Sequence, residues 1–370
     1  MGRIVRLSAP LSKSGRVHSP RGFESHPIRQ NWTHFGAGSP NPADRAVGEA
    51  CASIIGANVS IERARFPRIE GGAAEGGRGV KVRKAVIPAA GLGTRLLPAS
   101  KAVPKEMLPI VDKPVIQYIV EEAVASGITD IVIVTGYGKQ AIENHFDTSF
   151  ELEFHLENRG KHETLEQVRR IDDLANVIYV RQKEPLGNGH AVLVARAAVG
   201  DEPFAVLWGD DIILGDPPVT RQMIDAFERL GGPIIGVQAV ESIDYPRYGM
   251  LEVESIRERE YRVHGVIEKP TVEQSPSNLA QIGGFVLTPD VFDILESTRE
   301  GTAGEIYLAD ALRTLVQERP VYAYEFEGRR YDTGDKLDYL KANVELALQR
   351  AEFGDEFRSY LRSLNLGTAA

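Results

Sequence analysis

Short apolar runs alternate with amphipathic stretches over residues 84–208. The apolar runs predict buried strands at 85–89, 131–134, 177–180 and 204–208. Between them, apolar residues recur with helical spacing and predict helices over 114–126, 150–171 and 190–198. Strands that alternate with helices indicate right-handed crossovers and an α/β fold with parallel strands. Ligands bind such sheets at the carboxyl ends of strands, so we expect the site in the loops after these runs.

The pattern changes after Pro233, where strands follow one another more closely. It predicts strands at 234–240, 248–254, 263–268, 281–287 and 322–326, and helices at 289–297, 307–318 and from 336 onwards. We therefore predict one α/β domain over residues 81–353 with a mixed, mostly parallel central sheet, followed by a C-terminal tail at 354–370.

Residues 1–80 lack a sustained apolar period and are rich in Gly, Pro, Ser and Arg. This composition predicts a disordered N-terminal extension. The segment RGFESHP at 21–27 resembles the translation of a transfer-RNA gene. One hypothesis is therefore a mis-assigned start, with translation beginning near Val80. Residues 1–80 in the intact mass of the native protein would refute it.

The net charge of the chain also changes near residue 80. The whole chain has a net charge of −9, and because residues 1–80 contribute +5, residues 81–370 carry −14. Nucleic-acid binding depends on basic surface, so this acidic body predicts no nucleic-acid partner. The single cysteine, Cys51, excludes a disulfide framework, a cysteine zinc site and a cysteine nucleophile from 81–370. No apolar run has the length of a membrane span, and we expect a cytoplasmic protein with no membrane partner.

A glycine-rich loop, AGLGTR at 90–95, follows the first predicted strand. Glycines let the backbone approach a phosphate and point amide hydrogens at it. The loop lacks the Gly-Lys-Ser/Thr ending of a Walker loop, and Leu96 stands where a Rossmann fingerprint has its third glycine. The glycines alone are equally consistent with a plain turn between a strand and a helix.

A second stretch, PKEMLP at 104–109, follows the glycine-rich loop on the same long loop. The two stretches contribute one cation each, Arg95 and Lys105. Arg95 and Lys105 would offset the charge of a triphosphate and stabilise a pentacoordinate transition state. A solvated loop would carry the same charges, but the prolines of this second stretch indicate a rigid one.

Asp210 comes directly after the buried run 204–208. Magnesium takes one or two carboxylates together with phosphate oxygens and water, which makes Asp210 a candidate Mg²⁺ ligand. Asp211 is its rival, but alternation along the strand points that side chain to the opposite side. The alternative for Asp210 is an aspartate of a simple turn.

Several ordered motifs resemble those of the sugar-nucleotide pyrophosphorylases. They are GLGTRLLPASK at 91–101 and PKEMLP at 104–109. The continuation VDKPVIQY at 111–118, with IENHFD at 142–147, is similar to the bacterial UTP–glucose-1-phosphate uridylyltransferases in particular. The resemblance runs from about residue 83 to residue 346 and implies a Rossmann-like nucleotidyltransferase fold with a sugar-binding second half.

The resemblance also implies roles for the residues at matching positions. On the nucleotide side it implies contacts from Ala90, Gly91, Gly93, Thr94, Glu106, Gln182 and Gly187. On the sugar-phosphate side it implies contacts from Gly249, Glu268, Lys269 and Gly283. It implies Asp210 as the magnesium ligand and Asp332, in the motif RYDTGDK at 330–336, as a candidate second ligand.

Three further residues in these motifs have simpler interpretations. Family members often have an apolar residue where Asn188 stands. His190 is expected to pack or hydrogen-bond at a helix start rather than to act as a general base. Asp335 or Thr333 is expected to cap the last helix.

The implied reaction is attack by the phosphate of glucose 1-phosphate on the α-phosphorus of UTP, which gives UDP-glucose and pyrophosphate. The attacking phosphate is already largely a dianion at neutral pH, so no general base is needed. Catalysis then consists of alignment and charge neutralisation. Arg95 and Lys105 would bind the triphosphate, and Lys269 would position the attacking phosphate.

Two alternatives remain open at this point. One is a thymidylyl- or cytidylyltransferase that acts on glucose 1-phosphate. The other is a catalytically inactive subunit that senses sugar nucleotides, which would be expected to have lost the charged residues found here. The family further suggests UTP and glucose 1-phosphate as ligands and a homodimer or homotetramer as the assembly.

Overall fold

The computed structural model describes residues 81–298 and 304–364. The predictions for residues 1–80, including a start near Val80, and for 365–370 lie outside this part of the chain. The strands are β1 (Lys84–Pro88), β2 (Pro109–Ile110), β3 (Lys113–Pro114), β4 (Asp130–Thr135), β5 (Asn176–Arg181), β6 (Phe204–Val206), β7 (Asp211–Leu214), β8 (Ile234–Ala239), β9 (Gly249–Arg257), β10 (Glu260–Glu268), β11 (Leu279–Leu287), β12 (Tyr322–Glu325) and β13 (Arg329–Asp332). The helices are α1 (Val115–Ala125), α2 (Gln140–Phe146), α3 (Phe150–Asn158), α4 (His162–Asp172), α5 (Asn188–Val194), α6 (Arg196–Val199), α7 (Val219–Leu230), α8 (Asp290–Ser297), α9 (Leu308–Glu318), α10 (Lys336–Leu348) and α11 (Gly354–Ser363).

A mixed sheet of nine strands forms the centre of the fold, in the order β5-β4-β1-β6-β11-β8-β12-β10-β9. The strands β5, β4, β1 and β6 are parallel. The strand β11 runs antiparallel to β6 and β8, and β9 and β10 form an antiparallel hairpin. The predicted α/β class and mixed sheet are confirmed; β8 and β12, in the second half of the chain, are a further parallel pair.

Both faces of the sheet are covered, which explains why its strands are continuous apolar runs. In β1, Ala85 and Ile87 pack in one core with residues of α1 and α7. Val86 points to the other face and packs with residues of α5, α8 and α9. Successive strand side chains point to opposite faces, so a strand that is covered on both sides has apolar residues at consecutive positions.

The prediction of a single helix over 150–171 is wrong, because the structure has two helices there. The helix α3 ends at Asn158 and α4 begins at His162. Gly160 lies between them with a φ of 67°, a left-handed conformation that ends a helix.

Two further boundaries differ from the prediction. The strand β6 stops at Val206, and β7 then pairs with β13 in a separate two-stranded sheet. Residues 354–363 form the helix α11, which the prediction of a tail did not include. Among residues 81–298 and 304–364, none of the helices combines the length and the apolarity that crossing a membrane requires.

Candidate active site

The loops after β1, β5 and β6 meet at the carboxyl ends of neighbouring parallel strands, as predicted. They enclose a cavity of about 410 Å³, the glycine-loop cavity. Its lining includes every residue predicted for the nucleotide side, which are Ala90, Gly91, Gly93, Thr94, Glu106, Gln182 and Gly187, together with Lys105 and Asp210. The structure therefore brings this whole set together.

The glycine loop is shaped by Gly93, which has a left-handed φ of 66°. An ideal Cβ at this position would lie 3.2 Å from the Cβ atoms of both Lys105 and Ser100. The Ser100 hydroxyl donates a hydrogen bond of 2.7 Å to the Gly93 carbonyl and closes the turn. Gly93 thus allows the loop to fold tightly against Lys105.

Gln182 is buried at the far wall of the glycine-loop cavity. Its Nε2 donates to the Gly187 carbonyl at 3.0 Å and lies 2.9 Å from His190 Nδ1. These contacts fix the Gln182 side-chain amide and leave its Oε1 as the atom that can accept a hydrogen bond from a ligand. His190 therefore hydrogen-bonds at a helix start, in agreement with the interpretation of the sequence.

A buried ion pair that the sequence analysis missed lies behind this cavity. Lys139 Nζ donates to Glu106 Oε2 at 2.7 Å, and both side chains are buried. Burial raises the pKa of the Glu106 carboxyl, while the charges of Lys139 and Lys105 lower it. Among the residues that the structure describes, the other carboxylate oxygen, Oε1, has no hydrogen-bond partner. A buried acceptor costs free energy unless another group donates a hydrogen bond to it.

The predicted cations and carboxylates meet beside the glycine loop. Lys105 Nζ lies 2.5 Å from Asp210 Oδ2. Burial is the largest single effect and lowers the pKa of Lys105, but the charges of Asp210, Glu106 and Asp332 and the hydrogen bond to Asp210 together raise the pKa above its usual value. Arg95, Lys105, Asp210 and Gly334 together line a small recess between the two main cavities.

Asp210 and Asp332 lie on either side of Gly334. An ideal Cβ on this glycine would be 2.8 Å from Asp210 Oδ2 and 3.1 Å from Asp332 Oδ1. Among residues 81–298 and 304–364, no three His, Cys, Asp or Glu side chains are grouped as a metal site. Two carboxylates close to the same glycine nevertheless suit Mg²⁺, which takes one or two carboxylates and completes its ligands with water and phosphate oxygens.

Asp211 is engaged by Arg330, 119 residues later in the chain. Arg330 donates to Asp211 from Nε at 3.0 Å and from Nη2 at 2.8 Å. Burial raises the pKa of Asp211 to about 7, with the charges of Asp210 and Asp332 acting in the same direction and Arg330 against them. The Asp211 carboxylate is therefore paired with Arg330, whereas the Asp210 carboxylate is paired with Lys105.

A second cavity of about 480 Å³, the hairpin cavity, opens beside the β9–β10 hairpin. Its lining includes Gly249, Glu268 and Lys269 of the predicted sugar side, and also Arg95 and Asp332. Lys269 has a left-handed φ of 48°, and its backbone N–H donates to the Tyr248 carbonyl at 3.0 Å. Non-glycine residues in this conformation concentrate at functional sites.

Gly283, the remaining sugar-side candidate, does not line the hairpin cavity. It lies at an irregular part of β11 with a φ of 99°, and an ideal Cβ there would be 2.3 Å from the Phe326 ring. The absence of a side chain at Gly283 is thus required by the packing of Phe326. Its neighbours Gln281 and Ile282 line the cavity instead.

Gln281 is a further residue that sequence reasoning missed. Within the described part of the chain its Oε1 is buried without a hydrogen-bond partner, and this atom lies 3.7 Å from an ideal Cβ on Gly249. The sequence does contain a signal for Gln281, because it is a polar residue within the otherwise apolar run 279–287. Lys139 offered a similar signal, because it follows the carboxyl end of β4, where the other site loops begin.

Comparison with known proteins matches residues 84–349 to the family model described as nucleotidyl transferase. A UTP–glucose-1-phosphate uridylyltransferase of Staphylococcus epidermidis is 51% identical over 286 residues, which cover 77% of this chain and 99% of that protein. The structure of a UDP-glucose pyrophosphorylase complexed with UDP-glucose is 41% identical, with a TM-score of 0.67, over 73% of this chain and 100% of the other. A UTP-bound enzyme of this kind from Acinetobacter baumannii is 40% identical, with a TM-score of 0.73, over 77% of this chain and 100% of the other.

Proposed function

The chain belongs to the nucleotidyl transferase family, and on this premise we propose that it transfers UMP from UTP to glucose 1-phosphate. The products are UDP-glucose and pyrophosphate. The observation that carries the proposal is the junction of two cavities. The glycine-loop cavity and the hairpin cavity share Asn188 and Trp208, and cations and carboxylates lie between them.

The nucleotide occupies the glycine-loop cavity in this proposal. Arg95 and Lys105 bind the triphosphate, and the backbone of the glycine loop supplies amide hydrogens to it. Gln182 Oε1 is an acceptor at the wall of this cavity, where a base can offer its N–H groups, and Glu106, whose carboxylate is buried, lines the same cavity. Positively charged groups fixed near the α-phosphorus stabilise the charge that develops in the transition state.

The sugar phosphate occupies the hairpin cavity. Glu268 accepts hydrogen bonds from sugar hydroxyls, and Lys269 holds the attacking phosphate. Gly249 allows the close approach of Glu268, because its ideal Cβ would lie 3.1 Å from Glu268 Oε2. The attacking oxygen is already ionised at neutral pH, so this arrangement aligns it without a general base.

Asp210 and Asp332 would hold Mg²⁺ between the two cavities. The ion would supply charge neutralisation at the phosphates. Lys105 contacts Asp210 and would pass from that carboxylate to the triphosphate when the nucleotide enters.

The choice of nucleotide separates this proposal from its alternatives. We expect pyrophosphate release by the full chain with glucose 1-phosphate and Mg²⁺ to be fastest with UTP, when UTP, dTTP and CTP are compared side by side. Equal or faster release with dTTP or CTP would favour the thymidylyl- or cytidylyltransferase alternative. No release with any of the three would favour the sensing subunit.

We also propose that the chain assembles as a homodimer or homotetramer. Leu337, Leu340 and Val344 are exposed with helical spacing on α10, and an apolar face of this kind suits a contact with a second copy. Sedimentation velocity of the full chain tests it, and a monomer at micromolar concentration would contradict it.

A further inference from the structure

Asn188 belongs by sequence to the loop of the nucleotide side, but its side chain contacts another part of the chain. It is the first residue of α5, and its Oδ1 accepts a hydrogen bond of 2.9 Å from the backbone N–H of Leu308. Leu308 is the first residue of α9. The contact therefore joins the starts of two helices that are 120 residues apart.

Backbone hydrogen bonds run beside this contact. Gly189 N donates to the Ile306 carbonyl at 2.8 Å, and Ile306 N donates to the Leu186 carbonyl at 2.7 Å. An ideal Cβ on Gly187 or Gly189 would lie 2.6 or 2.9 Å from the Ile306 oxygen. The nucleotide loop and residues 305–309, which we call the bridge segment, thus lie directly against each other.

The bridge segment reaches both cavities. Glu305 lines the glycine-loop cavity, whereas Tyr307, Leu308 and Ala309 line the hairpin cavity. Tyr307 and Glu268, the residue proposed to accept the sugar hydroxyls, both line the hairpin cavity.

We propose that Asn188 is a positioning residue for the sugar phosphate, although it lies in the nucleotide loop. It acts through the Leu308 N–H, which fixes Tyr307 and Ala309 at the wall of the hairpin cavity. A leucine at this position could not accept that hydrogen bond. The inference rests on the proposed function, because it assigns the hairpin cavity to glucose 1-phosphate.

The test is the variant Asn188→Leu of the full chain, assayed for pyrophosphate release with each substrate varied in turn. We expect KM for glucose 1-phosphate to rise roughly three- to tenfold, the worth of one hydrogen bond. We expect KM for UTP to change less than about twofold, because the backbone contacts of the nucleotide loop remain. A structural defect alone would raise both values or neither.

Asn343→Leu is the matched control. Asn343 makes the same kind of contact, since its Oδ1 accepts a 3.0 Å hydrogen bond from the Val111 N–H, but it lines neither cavity. We expect its loss to lower thermal stability and to leave both KM values unchanged.

Three outcomes would decide the matter. A KM increase confined to glucose 1-phosphate supports the inference. An increase confined to UTP, an equal increase for both substrates, or no change in Asn188→Leu overturns it. Wild-type protein that releases no pyrophosphate under the same conditions contradicts the proposed function instead, so the two failures are distinguishable.

Discussion

The Glu106–Lys139 pair beside the glycine-loop cavity and the Glu268–Lys269 pair of the hairpin cavity are exposed to very different degrees. The side chains of Glu106 and Lys139 are 0% and 7% exposed. Those of Glu268 and Lys269 are 46% and 61% exposed and lie 3.6 Å apart. Buried groups are fixed by their surroundings before a ligand arrives, whereas exposed ones lose their freedom only when they bind.

The comparison indicates which side of the site is coupled to the stability of the fold. Glu106 and Gln182 are held by internal hydrogen bonds, and Gly187 is held against Ile306. Glu268 and Lys269 of the hairpin side are exposed, although the buried pair of Asp211 and Arg330 lines the same cavity. We therefore expect substitutions of the buried Glu106, Lys139 or Gly187 to change stability and activity together, and substitutions of the exposed Glu268 or Lys269 to change activity alone.

The largest effect is expected for Lys139→Met. It leaves the Glu106 carboxylate buried without its partner, and such a loss costs about 3–5 kcal/mol. Urea unfolding of the variant and of the wild type measures the difference. The control is Lys113→Met, because Lys113 also lies 2.7 Å from a carboxylate, that of Glu121, but at the surface. An exposed pair is worth about 1 kcal/mol or less, so equal losses in the two variants would contradict the comparison.

Asp210→Asn should lower kcat about 100- to 1,000-fold, the typical cost of removing one electrostatic contact to the transition state. The fold should survive, because the amide has the same shape, as a circular dichroism melt would show. Asp201→Asn, at an exposed turn away from both main cavities, is the control and should keep wild-type turnover. Wild-type activity in Asp210→Asn would remove this residue from the proposed site.

Lys269→Met should lower kcat/KM for glucose 1-phosphate about 10- to 100-fold, because it removes a charged hydrogen-bond donor from the phosphate. Its thermal midpoint should stay close to that of the wild type, since the side chain is exposed. Kinetics and calorimetry on the same preparation measure both quantities. A large loss of stability would show that the hairpin side is also part of the folding core.

Gly187→Ala should reduce the free energy of unfolding by about 1–3 kcal/mol. Gly187 has φ 96° and ψ 176°, a region almost restricted to glycine, and its Cβ would meet the Ile306 carbonyl. Gly91→Ala is the matched control, because an added Cβ there has no atom within 4 Å. Equal stability of the two variants would show that the nucleotide loop is not held in the way described.

The sequence predicted the parts of the molecule that local pattern determines. The parallel strands are continuous apolar runs, and the nucleotide-side residues follow their ends, so both could be located before the structure. The contacts of Lys139 with Glu106 and of Asp211 with Arg330 join residues far apart in sequence, and no spacing indicates them. The reason for a glycine at position 283 could not be predicted either. It depends on contact with the Phe326 ring, which is distant in the sequence.

The central claim is that the two cavities join a nucleoside monophosphate to a sugar phosphate. The most direct measurement uses the full chain with glucose 1-phosphate, Mg²⁺ and UTP labelled at its α-phosphate. We predict that the label appears in UDP-glucose while unlabelled pyrophosphate is released in equal amount. Label that stays in UTP, or that appears only in free UMP, would contradict the claim.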